Sequence, residues 1–326
     1  MKYASVKDWV VSPNSAKYDF VEDTIDDIYA LKKYEGLDDI LKKYFVYRAG
    51  LYKETHNDLL IKQVQPTVNS FVEKSKLYKT KDPDQYSVLL RQVYLHLWGY
   101  IYLNKYCNCS DTMTSAQILL NQCIKCLPKN NRDELNCIYE NRNKDVKGTV
   151  NSTIALAACN QQTKFLDSIS ECIPEFCRFV ALYHTIGNYS PIPEGFNVPR
   201  SNGGKKDFWD LTLMCIKEYF FESDIEKKKR IVSIDLLNNH KYSNSEIVIE
   251  WLNYFGNGKD GWKRFVEINL FQDFVDDKYE VIPFWDNHNI DNLKLPMDQK
   301  TLSSALTTIC DLIESRGDRI VSIIKK

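Results

Sequence analysis

Gln85–Tyr106, QYSVLLRQVYLHLWGYIYLNKY, decides the class of fold. Apolar side chains would fall on nearly every face of a helix formed by these residues, as in a central helix packed on all sides. Arg91, Gln92, His96 and Asn104 interrupt the apolar character, too often for a bilayer span. The stretch therefore reads as a buried helix, with Leu90, Val93, Leu97 and Ile101 as its packing stripe.

Helical spacing continues on both sides. Leu37, Ile40, Leu41, Tyr44 and Phe45 share one helix face. Thr114–Leu127 is amphipathic and meets Pro128, which cannot continue a helix. Val150–Ile169, Ile173–Tyr183 and Phe208–Phe221 predict three more helices. Ser243-Asn-Ser-Glu246 has the form of a capping box ahead of Ile247, Val248, Trp251 and Leu252. Gly256 supplies a stop and Asn257-Gly258 a turn. Thr301–Ile313 predicts a last helix that ends near Gly317. Strand patterning is confined to Phe45–Tyr52 and Tyr279–Trp285. The expectation is a mainly α, multi-helix globular fold with at most a small β element. A polar run between Pro128 and Gly148 suggests an N-terminal helical region over 1–140 and a C-terminal helical region over 141–326; a single domain fits equally well.

Composition narrows the function classes. The chain has 326 residues, 44% hydrophobic and 13% aromatic, enough to bury a sizeable core. The formal net charge of −1 excludes a global basic field for nucleic acid and an acidic solvating tail. The first residues, MKYASVKDWVVSP, lack the apolar stretch of a secretory signal. Ten cysteines then read as reduced, buried hydrophobes in a cytoplasmic protein. Lysine outnumbers arginine and asparagine is frequent, which points to an AT-rich, bacterial genome.

One loop stands out. His184–Leu211, HTIGNYSPIPEGFNVPRSNGGKKDFWDL, carries Pro191, Pro193 and Pro199 among Gly187, Gly195, Gly203 and Gly204. Prolines stiffen a chain and glycines permit close backbone approach. A loop this long in a compact domain is more often functional than a short one. His184 at its start has the chemistry of a general base or ligand. Asn188 is placed to position a bound group by hydrogen bonding. Arg200, Lys205 and Lys206 precede a helix start near Asp207, where free N–H groups and basic side chains together favour anions. Phosphate, on a nucleotide or a nucleic acid, is the ligand class this predicts. Hydrolysis there would need a divalent metal or a second carboxylate. The spacing is not that of a P-loop. The plainer reading is a structural loop around a helix end.

The motifs also carry a resemblance. His184-Thr-Ile-Gly-Asn188, Pro191-Ile-Pro193, Phe196-Asn197, Arg200, Asp207-Phe-Trp-Asp-Leu211, Phe255-Gly-Asn-Gly258, Gly261-Trp262 and Arg316-Gly317 resemble a group of uncharacterised bacterial proteins. The resemblance implies a bacterial cytoplasmic protein and no particular reaction. Ile-Gly-Asn followed by apolar residues, an Asn and a Lys-containing helix start is similar to the later part of HNH-type nuclease domains. There a histidine beside an acidic residue activates water, yet the nearest stretch here, Glu171-Cys-Ile-Pro174, has no histidine.

Other constellations carry alternatives. Arg91 to His96 has the Arg-x4–6-His form of helical HEPN ribonucleases. Five steps of ~100° place the two about 140° apart on a regular helix, so they would not share a face. Cys107-Asn-Cys109 and Cys123-Ile-Lys-Cys126 offer four thiolates to zinc, but buried thiols account for them as well. Asp286-Asn-His288 and Asn239-His240 are polar clusters without a visible partner set, and no metal site is assigned. Trp209, Trp251, Trp262 and Trp285 read as core anchors. A non-enzymatic interaction protein, or a homo-oligomer built on the apolar helices, fits the same sequence.

Overall fold

The computed structural model describes residues 88–107, 109–114, 116–130, 169, 171–183, 186–197, 207–239 and 244–324. The expected Leu37–Phe45 helix and Phe45–Tyr52 strand, nearly all of Val150–Ile169, and the 140/141 boundary lie outside these residues. In chain order the elements are α1 (Val88–Tyr106), β1 (Cys109–Thr112), α2 (Ala116–Cys126), α3 (Pro174–Tyr183), β2 (Tyr189–Ile192) and α4 (Trp209–Phe221). There follow α5 (Ile225–Arg230), α6 (Ser245–Asn253), α7 (Gly258–Ile268) and α8 (Gln299–Ile324). The fold is mainly α, as expected, and β1 and β2 form a two-stranded antiparallel sheet. No helix among the described residues is long and apolar enough to cross a membrane.

The chain divides into two compact units. The first holds α2, α3 and the first turns of α8. α2 buries Leu119, Leu120, Cys123 and Ile124, and α3 buries Phe176 and Phe179. Side chains fasten its ends: Gln122 Nε2 donates to the Pro296 carbonyl at 2.5 Å, and Ser303 Oγ donates to Glu175 Oε2 at 2.9 Å.

The second unit holds most of α1, the sheet, α4 to α7 and the last turns of α8. Its core is aromatic. Trp209 lies 4.9 Å from Phe271, Trp251 5.3 Å from Phe265, and Phe255 5.0 Å from Phe265, measured between ring centroids. Such pairs contribute roughly 0.5–1.5 kcal/mol beyond their area. The four tryptophans expected as core anchors are all buried.

The structure corrects the sequence in five places. The expected stripe on α1 fails beyond Val93, since Ile101 is 80% exposed. Gly99, at φ 75° and ψ 155°, is not helical and resets the helical phase. Tyr102 and Leu103 turn inward instead. Tyr102 Oη donates to Asn269 Oδ1 at 3.2 Å and accepts from Trp251 Nε1 at 2.9 Å. α8 does not end near Gly317 but runs through it to Ile324, and Gly187 packs against its backbone at Ile313 and Gly317. Asn244, one residue beyond the expected Ser243, caps α6 by accepting from the Ile247 N–H. Tyr279–Trp285 is not a strand. Tyr279 has φ 61°, and Asp276 Oδ1 accepts from the Lys278 and Glu280 N–H groups, which closes a tight turn. The sheet forms instead from Cys-Ser-Asp-Thr and Tyr-Ser-Pro-Ile, segments too short and polar to show a period of two.

Candidate functional site

The marked loop begins on a strand. Tyr189–Ile192 pairs antiparallel with Cys109–Thr112, with Thr112 opposite Tyr189 and Cys109 opposite Ile192. The short 3₁₀ turn Ile186–Asn188 leads into it. Asn188 is 0% exposed. Its carbonyl accepts from the Met113 N–H at 2.8 Å, and its side-chain Oδ1 accepts from Thr114 Oγ1 at 3.4 Å.

The far end of the loop returns to the same two residues. Phe208 forms a bridge with Thr114, and the Trp209 N–H donates to the Met113 carbonyl at 3.1 Å. Met113 and Thr114 therefore receive both ends of the loop. Between those ends Phe196 is buried, 5.7 Å from Trp251 and 6.3 Å from Trp209. Pro191, Ile192 and Pro193 are buried as well.

A fully buried arginine holds the entry. Arg316 Nη1 donates to the Gly187 carbonyl at 2.9 Å and to the Tyr189 carbonyl at 2.7 Å. Nε donates to the Leu270 carbonyl at 2.9 Å and Nη2 to the Asn269 carbonyl at 3.4 Å. Its guanidinium lies 5.2 Å from the Phe271 ring centre. No carboxylate pairs with it among the described residues, and burial pulls its pKa down to about 10. A planar fork with five donors suits this role, since it can satisfy several carbonyl lone pairs at once. Gly187 is required beside it, because a Cβ there would run into the Ile313 carbonyl and the Gly317 backbone.

The loop's exit carries a second buried polar group. Asp210 sits in the first turn of α4 and accepts from the Phe284 N–H at 2.8 Å. His288 Nδ1 lies 2.5 Å from the same oxygen, Oδ2. A carboxylate only accepts, so the ring nitrogen donates. His288 stacks on Trp285 at 3.5 Å, and its Nε2 has no partner among the described residues. An Asp–His pair is the geometry that orients a general base. Here both side chains are fully enclosed, so the pair fastens the Phe284–His288 segment to α4.

Of the residues expected to carry chemistry, Asn188 is placed in the buried stem. His184, Arg200, Lys205 and Lys206 lie outside the described residues. His96 is exposed on α1, while the side chain of Arg91 is outside the description. Cys107 and Cys123 are buried, Cys109 and Cys126 half-buried. Burial raises the Cys107 thiol far above its ordinary pKa, which suits an inert buried thiol. Among the described residues no group of three or more His, Cys, Asp or Glu side chains could hold a metal. Asp286 is exposed, and His288 finds its partner in Asp210, far away in sequence. No spacing signal links those two; only the isolated buried polar residues, Asp210 within an aromatic helix start and His288 after a tryptophan, hinted at them.

A mainly α chain with a two-stranded sheet and a proline-rich loop tied at both ends is the class these features define. The chain belongs to the family of unknown function DUF6994, whose profile matches residues 67–320. That agrees with the uncharacterised group its motifs resemble. No curated protein and no solved structure matched.

Proposed function

We propose that this protein binds a phosphate-bearing ligand, a nucleotide or a nucleic-acid backbone, through the loop from His184 to Lys206. The observation that supports this reading is the double attachment of the loop. Asn188 and Phe208–Trp209 both fasten to Met113–Thr114, and Arg316 grips the entry. A segment with fixed ends loses less entropy when it orders around a ligand. The residues between Asn197 and Asp207 include Arg200, Lys205 and Lys206, three cations that would meet phosphate oxygens. Asn188 acts indirectly, by positioning the stem. His184 supplies an acid–base or ligand group, and hydrolysis follows only with a divalent metal or a second carboxylate. On this reading the protein works in a bacterial cytoplasm.

A second reading is a non-enzymatic interaction or structural protein. It is supported by the burial of Gly187, Asn188 and Arg316, three of the most marked motif residues. A further alternative is nuclease activity, of the HEPN kind through Arg91 and His96 or of the HNH kind at the loop.

One thermal-shift experiment separates them. Full-length protein is melted with nucleotides, short RNA, short DNA and divalent metals, beside His184→Ala and an Arg200/Lys205/Lys206→Ala variant. On the phosphate reading, a phosphate ligand raises the Tm of the native protein and not of the triple variant. If no phosphate ligand shifts the native protein, the interaction reading stands. Incubating labelled RNA and DNA with magnesium or manganese tests cleavage directly.

A further inference from the structure

A cleft of about 610 Å³ opens where the end of α4, α5, the end of α6 and the start of α7 meet. That volume is within the range of small-molecule sites. Its wall is largely apolar, with Tyr219, Phe220, Phe221, Ile225 and Ile249. Phe221 and Ile225 are exposed on it.

One cation in this wall is treated unlike its neighbours. α5 carries Lys227, Lys228, Lys229 and Arg230 in succession. Lys227 pairs with Glu222 at 3.8 Å and Lys229 with Glu226 at 2.7 Å. Lys228 pairs with no carboxylate among the described residues. Its ammonium donates instead to the neutral Asn257 Oδ1 at 2.6 Å and lies 4.7 Å over the Tyr219 ring. Partial burial lowers its pKa, and the Glu222 carboxylate nearby offsets part of that shift. Asn257 is thereby drawn away from its place as N-cap of α7, where its side chain makes no capping bond. The Tyr219 hydroxyl is fixed separately, donating to Asn253 Oδ1 at 2.8 Å.

We infer that this cleft is a second ligand site, which takes a small organic monocarboxylate with a flat apolar body. The carboxylate pairs with Lys228, and the body lies against Tyr219, Phe221, Ile225 and Ile249. A single ammonium with no carboxylate in salt-bridge contact among the described residues suits a single negative charge. A dianion would leave excess charge close to Glu222, which lines the same cleft. The aromatic and branched apolar walls supply the area for the body.

The test is titration calorimetry of the full chain with phenylacetate, indole-3-acetate, their neutral amides and inorganic phosphate. Native protein, Lys228→Gln, Lys228→Arg and the Arg200/Lys205/Lys206→Ala variant run in parallel. Lys228→Gln keeps a donor for Asn257 without the charge, so the wall stays intact. The aryl carboxylates are expected to bind the native protein, the amides at least about tenfold more weakly. Lys228→Gln should lose a similar factor with an unchanged Tm, Lys228→Arg should retain binding, and the loop variant should bind as the native protein does. Amides that bind as well as acids would overturn the proposal, and so would carboxylate binding unchanged by Lys228→Gln. No carboxylate binding below about 5 mM, or binding of inorganic phosphate in preference to the aryl acids, would also overturn it.

Discussion

Arg316 Nη1 donates to the Gly187 carbonyl at 2.9 Å, which joins the last helix to the first turn of the marked loop across 129 positions of sequence. The same guanidinium serves Tyr189, Leu270 and Asn269. Replacing Arg316 with methionine keeps much of the volume and leaves those buried carbonyls without donors. Unsatisfied buried polar groups cost about 1–3 kcal/mol each. Arg316→Met should therefore lower stability by about 3 kcal/mol or more, read as a fall in the urea midpoint at constant m-value. Arg316→Lys should recover only part of the loss, because a point charge cannot fork to several acceptors.

Gly187 and Gly99 make a contrast. A methyl group on Gly187 meets backbone atoms of Ile313 and Gly317, which cannot move aside without breaking α8. Gly187→Ala should cost about 3 kcal/mol or prevent folding. Around Gly99 there is open space, and only its φ of +75° opposes a side chain. Gly99→Ala should cost about 1–3 kcal/mol, the strain of a backbone conformation, φ 75° with ψ 155°, that essentially only glycine adopts. Equal melting temperatures for the two variants would contradict this account.

Asp210 and His288 are coupled. Asp210→Asn should cost about 2 kcal/mol, from the loss of charge-assisted bonds to His288 and Phe284. His288→Phe should cost a similar amount. In a double-mutant cycle the two losses should fall short of additivity by about 1–2 kcal/mol. Strict additivity in the denaturation data would mean that the pair is not what holds Phe284–His288 against α4.

Acid should weaken the start of α8. Asp298 accepts from the Thr301 N–H at 2.8 Å and from its hydroxyl at 2.7 Å, and these bonds hold its carboxyl below the ordinary 3.8. Its folded pKa is depressed, so its contribution is present above the unfolded value. It disappears as pH falls through the folded value. Unfolding curves between pH 6 and pH 2 should therefore show a component that Asp298→Ala abolishes. Identical pH profiles for native and variant protein would refute it.

How much was legible beforehand differs by residue. Pro128 placed the end of α2 within a residue or two, since a proline removes a donor whatever surrounds it. Gly256 marked the end of α6 for another local reason, its freedom to take a φ of +97°. Gly317 misled because its sequence neighbourhood looks like a helix stop, while it lies inside α8 with Gly187 packed against its backbone. Ile101 misled because the helical phase is broken by Gly99, and a glycine's choice of φ is not written in its spacing. Gly187-Asn188 in the loop and Arg316-Gly317 near the end of the chain were visible as marked residues. That Arg316 closes on Gly187, rather than on a ligand, was not visible.

By itself, the sequence determined the helical class of this protein, several helix ends and the aromatic residues of its core. Those follow from interactions that span a turn or two: hydrophobic period, capping and the missing N–H of proline. Only the tertiary structure decided that Met113–Thr114 receives both ends of the loop, that Arg316 serves buried carbonyls and that His288 answers Asp210. Those partners lie 46 or more positions apart. Contacts at that separation depend on which packing lets every buried polar group find a partner, and no local pattern encodes that.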